Sequence, residues 1–177
     1  RHRHASHLLG LYPGNAITDK TPELIEACKV SLLDRGFGQK SGANGSGWGK
    51  ANKVNLWARA KDGNRAYSML RELINKNIAP NLWDFHPPYQ MDGNCGYTSG
   101  VCEMLCYSSD DIIELLPALP EEWKNGSVKG LCARGGYSLD FTWENGEIKS
   151  LSVYSSCGKK TARIKTGDEI KTVKTVG

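Results

Sequence analysis

The chain has 177 residues, of which 39% are hydrophobic and 24% charged, with 20 glycines. These proportions exclude a disordered or collagen-like chain, and the length suits one ordinary domain or a medium domain with a small companion. The net charge of +4, from 23 Lys+Arg against 19 Asp+Glu, is mild and shows no concentrated basic stripe, so nucleic acid is not an expected partner.

The longest apolar runs, at 7–11 and 112–116, fall far short of the roughly 20 residues that span a bilayer, and no membrane insertion is expected. The chain opens at Arg1 without Met or a visible signal peptide, and reads as a piece of something longer. Its compartment stays open between extracellular and cytoplasmic. Six cysteines, at 28, 95, 102, 106, 132 and 157, form no C-x-x-C pair, which leaves zinc-ribbon and thioredoxin-like readings weak. Cys102 and Cys106 lie one helical turn apart in an apolar stretch, where a free thiol behaves as a small hydrophobe. Disulfides remain open, and no metal or cofactor is expected.

In chain order, Thr21-Pro22-Glu23 has the form of an N-cap, an N1 proline and an acidic first turn. Leu24, Ile25, Cys28, Leu32 and Leu33 follow at helical spacing, and Gly36 ends the run. A second helix is predicted from about Trp48 to Arg59, before the Asp62-Gly63 turn. A third follows Asn64, with Ala66, Met69, Leu70, Leu73 and Ile74 on one stripe, and a fourth starts near Thr98. Between the last two lies a long segment, Asn75 to Tyr97, with prolines at 80, 87 and 88. Loops of that length are uncommon unless functional.

After the linker 117–126 the period changes to two. Tyr137, Leu139, Phe141 and Trp143 alternate with polar residues, and Glu144-Asn145-Gly146 turns the chain into Ile148, Leu151 and Val153. The expected fold is mainly α with an antiparallel β appendage, divided as residues 1–116 and 117–177.

Three stretches invite a chemical reading. Gly42-Ala-Asn-Gly-Ser-Gly-Trp-Gly-Lys50 fails as a phosphate loop, because Ala51 stands where Ser or Thr belongs and no strand precedes it. It reads instead as the entry to a buried helix. His2-Arg3-His4 offers planar, directional hydrogen bonds that suit sugar hydroxyls, although a helix cap or surface cluster fits equally well. The richest segment is Asn81-Leu-Trp-Asp-Phe-His-Pro-Pro-Tyr-Gln-Met-Asp-Gly-Asn94. Its aromatics, interleaved with carboxylate, imidazole and amide groups, have the make-up of a carbohydrate pocket. Asp92, shortly before a helix start, would be kept ionised by backbone N–H groups and the positive dipole end, as a general base toward water requires. An ordinary Asp-Gly turn is the competing reading.

Eight blocks then appear in order: His2-Arg3-His4-Ala-Ser-His-Leu, Gly10-Leu-Tyr-Pro-Gly14, Asn55-Leu-Trp-Ala-Arg59, Asp62-Gly-Asn-Arg-Ala-Tyr67, His86-Pro-Pro-Tyr-Gln-Met-Asp-Gly-Asn94, Glu103-Met-Leu, Leu115-Leu-Pro-Ala-Leu-Pro120 and Gly130-Leu-Cys-Ala-Arg-Gly-Gly136. Together they resemble the C-terminal part of family 95 glycoside hydrolases, the inverting α-L-fucosidases acting mainly on α-1,2-linked fucose. The resemblance implies the last helices of an (α/α)6 barrel followed by a small β domain. It implies Asp92 as the catalytic base, Arg3, His4 and His86 as residues lining the fucose pocket, a fucosylated glycan as substrate, and the rest of the barrel as a structural partner. It also places the general acid, a glutamate, upstream of this chain, which leaves the isolated piece inactive. Asn52 replaces an aromatic of the family pattern, Cys95 a phenylalanine and Tyr89 another. An α-L-galactosidase of the same family and a non-catalytic carbohydrate-binding module are the alternatives.

Overall fold

A computed structural model describes residues 4–36, 47–86, 88–109 and 112–176. Arg3 and the glycine-rich stretch up to Ser46 lie outside the described residues. A single 3-10 turn, Ser6–Leu8, precedes four helices: α1 (Pro22–Arg35), α2 (Trp48–Arg59), α3 (Gly63–Asn77) and α4 (Met91–Leu105). Seven strands follow: β1 (Cys106–Ser108), β2 (Ile113–Leu115), β3 (Gly126–Ala133), β4 (Tyr137–Glu144), β5 (Glu147–Ser155), β6 (Thr161–Thr166) and β7 (Glu169–Lys174). The mainly α fold with a β appendage is therefore what the chain adopts.

Helix α1 begins with Pro22 in its first turn and stops at Gly36, whose φ of 54° is a conformation that glycine adopts freely. It buries Ile25, Cys28 and Leu32, whereas Leu24, Val30 and Leu33 are exposed. The apolar surface of α1 is thus broader than the face the described residues cover. Helix α3 is capped by Asp62, whose carboxylate accepts from the Arg65 N–H at 3.0 Å, and it seats Ala66, Met69, Leu70 and Leu73 inward.

Helix α2 is the hub, buried on nearly every side and packed against α1, α3 and α4. Its closest neighbour, α4, starts at Met91 rather than near Thr98. The glycines at 93, 96 and 100 lower helix propensity and disguise this segment in the sequence, yet Gly96 and Gly100 form the face that α2 meets, and Gly93 makes room for Asp84. A Cβ on Gly96 would lie 2.9 Å from the Ala51 Cβ, and one on Gly100 would lie 2.5 Å from Val54 Cγ1. The approach is pinned by Asn55, buried on α2, whose Nδ2 donates to the carbonyls of Ala51 at 2.9 Å and Gly96 at 2.8 Å. Its Oδ1 accepts from Ser99 Oγ at 3.0 Å.

The strands form two sheets, one ordered β1-β2-β6-β7 and one ordered β3-β4-β5. All pairs are antiparallel except β2 with β6. The alternation read from β4 is realised: Leu139, Phe141 and Trp143 are buried and lie opposite Val153, Leu151 and Ile148 of β5. Both turn residues, Asn145 and Gly146, have positive φ, as a tight hairpin requires. The first sheet starts at Cys106, directly after α4, so helical and sheet parts share an apolar boundary around Val101 and Trp123. Trp123 packs edge-on to Tyr67 of α3, and its carbonyl accepts from Trp143 Nε1 at 2.8 Å.

A ring of four charges also ties the two parts. Lys61, after α2, reaches Asp19 at 2.7 Å and Glu114 of β2 at 2.8 Å, and Lys165 of β6 reaches the same carboxylates at 2.8 and 3.2 Å. Burial opposes the charge on Asp19, but hydrogen bonds from Lys165 and Lys61 outweigh it and hold its carboxyl below the ordinary range. Lys165 is likewise opposed by burial and, on balance, raised by Asp19 and Glu114.

Two outcomes follow from this packing. Gly100→Leu should drive α4 off α2 and lower stability by about 1–3 kcal/mol or more, read from the urea midpoint at unchanged m-value. The ring stabilises the fold at neutral pH. Its Asp19 share is present above the unfolded carboxyl value of about 4 and disappears as pH falls through the lower folded value. Its Lys165 share is lost as pH rises beyond about 10.4. Asp19→Asn should therefore cost at most about 1 kcal/mol at pH 7, since Asp19 is half exposed, and the gap to wild type should close in acid.

Candidate active site

The long segment between α3 and α4 becomes a compact loop at the N-terminal end of α4. Short bridges join Ile78 to Asp84 and Phe85 to Tyr89. Asn94, in the second turn of α4, locks the loop to the helix. Its Oδ1 accepts from the Asp84 N–H at 2.7 Å, and its Nδ2 donates to the Leu82 carbonyl at 2.7 Å. Gln90 caps the other side, its N–H donating to the Asp84 carbonyl at 3.1 Å.

On this frame, Asp92 lies exposed in the first turn of α4, with its Oδ1 accepting from the Gly93 N–H at 3.1 Å. The helix dipole favours a negative charge there. His86 is half-buried on the loop. Asp92 and His86 both act on the charge of Asp84, the former raising its proton affinity and the latter lowering it. Trp83 and Tyr89 stack with centroids 4.7 Å apart, and Trp83 (54%), Phe85 (52%) and Met91 (64%) leave much of their surface open. The result is an open aromatic surface on the loop that leads into Asp92.

His4 is placed differently. It sits half-buried ahead of the first turn, and its carbonyl accepts from Arg35 Nη1 at 3.0 Å at the end of α1. Arg3 lies outside the described residues.

Three buried charges escaped the sequence reading. Asp84 is fully buried at 0% exposure, and neither carboxyl oxygen has a hydrogen-bond partner among the described residues. Burial, reinforced by Asp92, pushes its carboxyl up. Lys50 of α2 is buried and donates to Asn77 Oδ1 at 2.8 Å, with Glu72 Oε1 at 3.5 Å. Lys53, one turn on, is 2% exposed and donates to the Gly36 carbonyl at 2.8 Å. Burial lowers both ammonium groups, and Arg35 adds to the effect at Lys53. The lysine spacing within a helix of Ala, Val, Leu and Trp was a visible signal, since a helix apolar all round buries whatever charge it carries.

The full length of the chain matches two descriptions: "Glycosyl hydrolase family 95 catalytic domain" over residues 1–105 and "Glycoside hydrolase family 95, C-terminal domain" over 107–176. The chain belongs to glycoside hydrolase family 95. Among its relatives, "Alpha-L-fucosidase 2" of Arabidopsis thaliana is 38% identical over 87% of this chain and 19% of that protein. "Probable alpha-fucosidase A" of Aspergillus oryzae is 35% identical over 81% of this chain and 22% of its own length. The same-named protein of Aspergillus niger is 33% identical over 93% and 23%. The chain spans about a fifth of the length of these curated relatives.

Within this family member, Glu103 is the nearest other carboxyl on the helix that carries Asp92. Eleven residues of α-helix separate the two by roughly 16 Å along the axis, beyond the roughly 6.5–9.5 Å of an inverting pair. Glu103 is also engaged by Arg59 at 3.4 Å, while burial pushes its carboxyl up. Arg59 further donates to the Gly14 carbonyl at 3.2 Å and to Asn15, and lies 4.1 Å above the Tyr107 ring. Glu103 therefore belongs to a packing cluster at the far end of α4. The two hydrogen bonds of Asn94 should be worth about 1–3 kcal/mol together, so Asn94→Leu should lower the urea midpoint and expose Trp83 further, visible as a red-shifted fluorescence maximum.

Proposed function

We propose that this chain is the C-terminal part of an inverting α-L-fucosidase that releases fucose, mainly α-1,2-linked, from glycans. In this reading α1 to α4 are the last helices of an (α/α)6 barrel, and the sheets are its C-terminal domain. The observation that carries the proposal is the position of Asp92: exposed in the first turn of α4, directly after the loop that carries His86 and the open aromatics Trp83 and Phe85. A carboxylate so placed takes a proton from water as the water attacks the anomeric carbon, on the face opposite the leaving oxygen. Arg3, His4 and His86 supply hydrogen bonds to the fucose hydroxyls. The general acid comes from the upstream part of the parent protein, and Glu103 is too distant to replace it.

The same assignment accounts for the open apolar surface of Leu24, Val30, Leu33, Trp83 and Phe85, which the remaining barrel helices would cover. In the full-length parent, Asp92→Asn should lower kcat for an α-1,2-fucosylated oligosaccharide by about 10²- to 10⁴-fold with little change in KM. The 177-residue chain alone should release no fucose. Near-normal turnover by Asp92→Asn would remove the base assignment, and release by the isolated chain would overturn the upstream location of the acid.

A further inference from the structure

Asp84 is buried a few ångströms from the first turn of α4 without a visible structural reason. Both of its backbone groups are used, the N–H by Asn94 and the carbonyl by Gln90, which forces the side chain inward. There the carboxyl fills the space left by two glycines. A Cβ on Gly93 would fall 1.5 Å from Asp84 Oδ2, and one on Gly47 would fall 3.0 Å from it. Any side chain at Gly93 would expel the carboxyl, and Gly93 is the residue next to Asp92.

The charged groups around it come from three elements. Asp92 faces it from α4, His86 from its own loop and Lys50 from α2. None donates a hydrogen bond to it among the described residues, and Lys50 Nζ is committed to Asn77 and Glu72. A water-excluded carboxylate without a donor, beside a second carboxylate, is strongly disfavoured against its neutral form. Burial and Asp92 raise its proton affinity against the opposing pull of the Phe85 backbone N–H, His86 and Lys50, and the balance is upward. A group of this kind destabilises a fold unless it does something there, because an apolar residue of similar shape would pack at lower cost.

We infer that Asp84 is a positioning residue of the catalytic site: wedged between Gly47 and Gly93 without a hydrogen-bond donor among the described residues, it fixes the first turn of α4 and keeps a second negative charge away from Asp92. The inference rests on the assignment of Asp92 as the base. In substrate terms, Asp84 touches nothing; it acts through the turn that carries Asp92. Its neutrality matters, because an ionised Asp84 would repel Asp92 and would draw water into the turn.

The test uses the full-length parent enzyme. Asp84→Ala, which leaves the cradle empty, should lower kcat by about ten- to a hundredfold with KM nearly constant, the signature of a displaced catalytic group. Asp84→Asn, similar in shape and uncharged, should recover most of that loss and keep the acid limb of the kcat/KM profile in place. In the infrared difference spectrum of wild type minus Asp84→Asn at neutral pH, the C=O stretch of a protonated carboxylic acid should appear. This last readout requires no activity and stands even where Asp84→Ala fails to fold. Absence of the band, displacement of the acid limb to lower pH in Asp84→Asn, or an unchanged kcat in folded Asp84→Ala would each overturn the inference. Near-normal turnover in Asp92→Asn would remove the base assignment and the positioning role with it, while the infrared band would separately report the state of Asp84.

Discussion

The close approach of α2 and α4 is the constraint on which the rest of the structure depends. Two helices pack this tightly only where one of them presents backbone instead of side chain, and the glycines of α4 provide that surface to Ala51 and Val54. Asn55 then exchanges hydrogen bonds with Gly96 and Ser99 across the seam, so the register cannot slide without leaving buried amide groups unpaired. Because α4 is fixed along its length, its two ends are fixed as well. One end delivers Asp92 to the surface, and the other runs straight into β1 and seats the sheets.

Charge is distributed according to the same geometry. At the β-facing end, Lys61 and Lys165 alternate with Asp19 and Glu114, so every ion in the ring has two opposite neighbours. At the opposite end the pairing is incomplete: Asp84 lacks a donor among the described residues, and Asp92 is open to solvent. A structural network satisfies its charges, whereas perturbed and incompletely satisfied ionisable groups gather where chemistry is done. On the proposed reading, the Asp92 end is the one where such groups would be used.

Much of this was legible in the sequence where a local rule and the tertiary structure agree. Thr21-Pro22 and Gly36 bound α1, Asp62 caps α3, and the Asn145-Gly146 turn sets β4 against β5 in the pairing that the alternation requires. The failures have one cause, which is that burial is decided by a partner far away in sequence. Gly96 and Gly100 look like helix breakers until α2 is opposite them, and Gly93 does until Asp84 fills the space beside it. Leu24 and Leu33 look like core until the covered face of α1 proves to be that of Ile25, Cys28 and Leu32. Asp84 stood in plain view between Trp83 and Phe85, among the polar groups read as a carbohydrate pocket, but nothing local marked it as buried. Only the inward turn forced by Asn94 and Gln90 makes it a buried acid.

The exposed apolar residues fall in two places. Trp83, Phe85 and Met91 surround the loop that bears the candidate site, and Leu24, Val30 and Leu33 lie along α1. Singly, an exposed aliphatic means little, but a set of this size, flanking the end where the charges are unsatisfied, requires a covering surface. On the proposed reading, one upstream segment meets both needs: its helices cover the apolar faces, and its glutamate supplies the second carboxyl. Catalysis then depends on completing the barrel, because the general acid reaches Asp92 only through the same contacts that remove Trp83 and Phe85 from water.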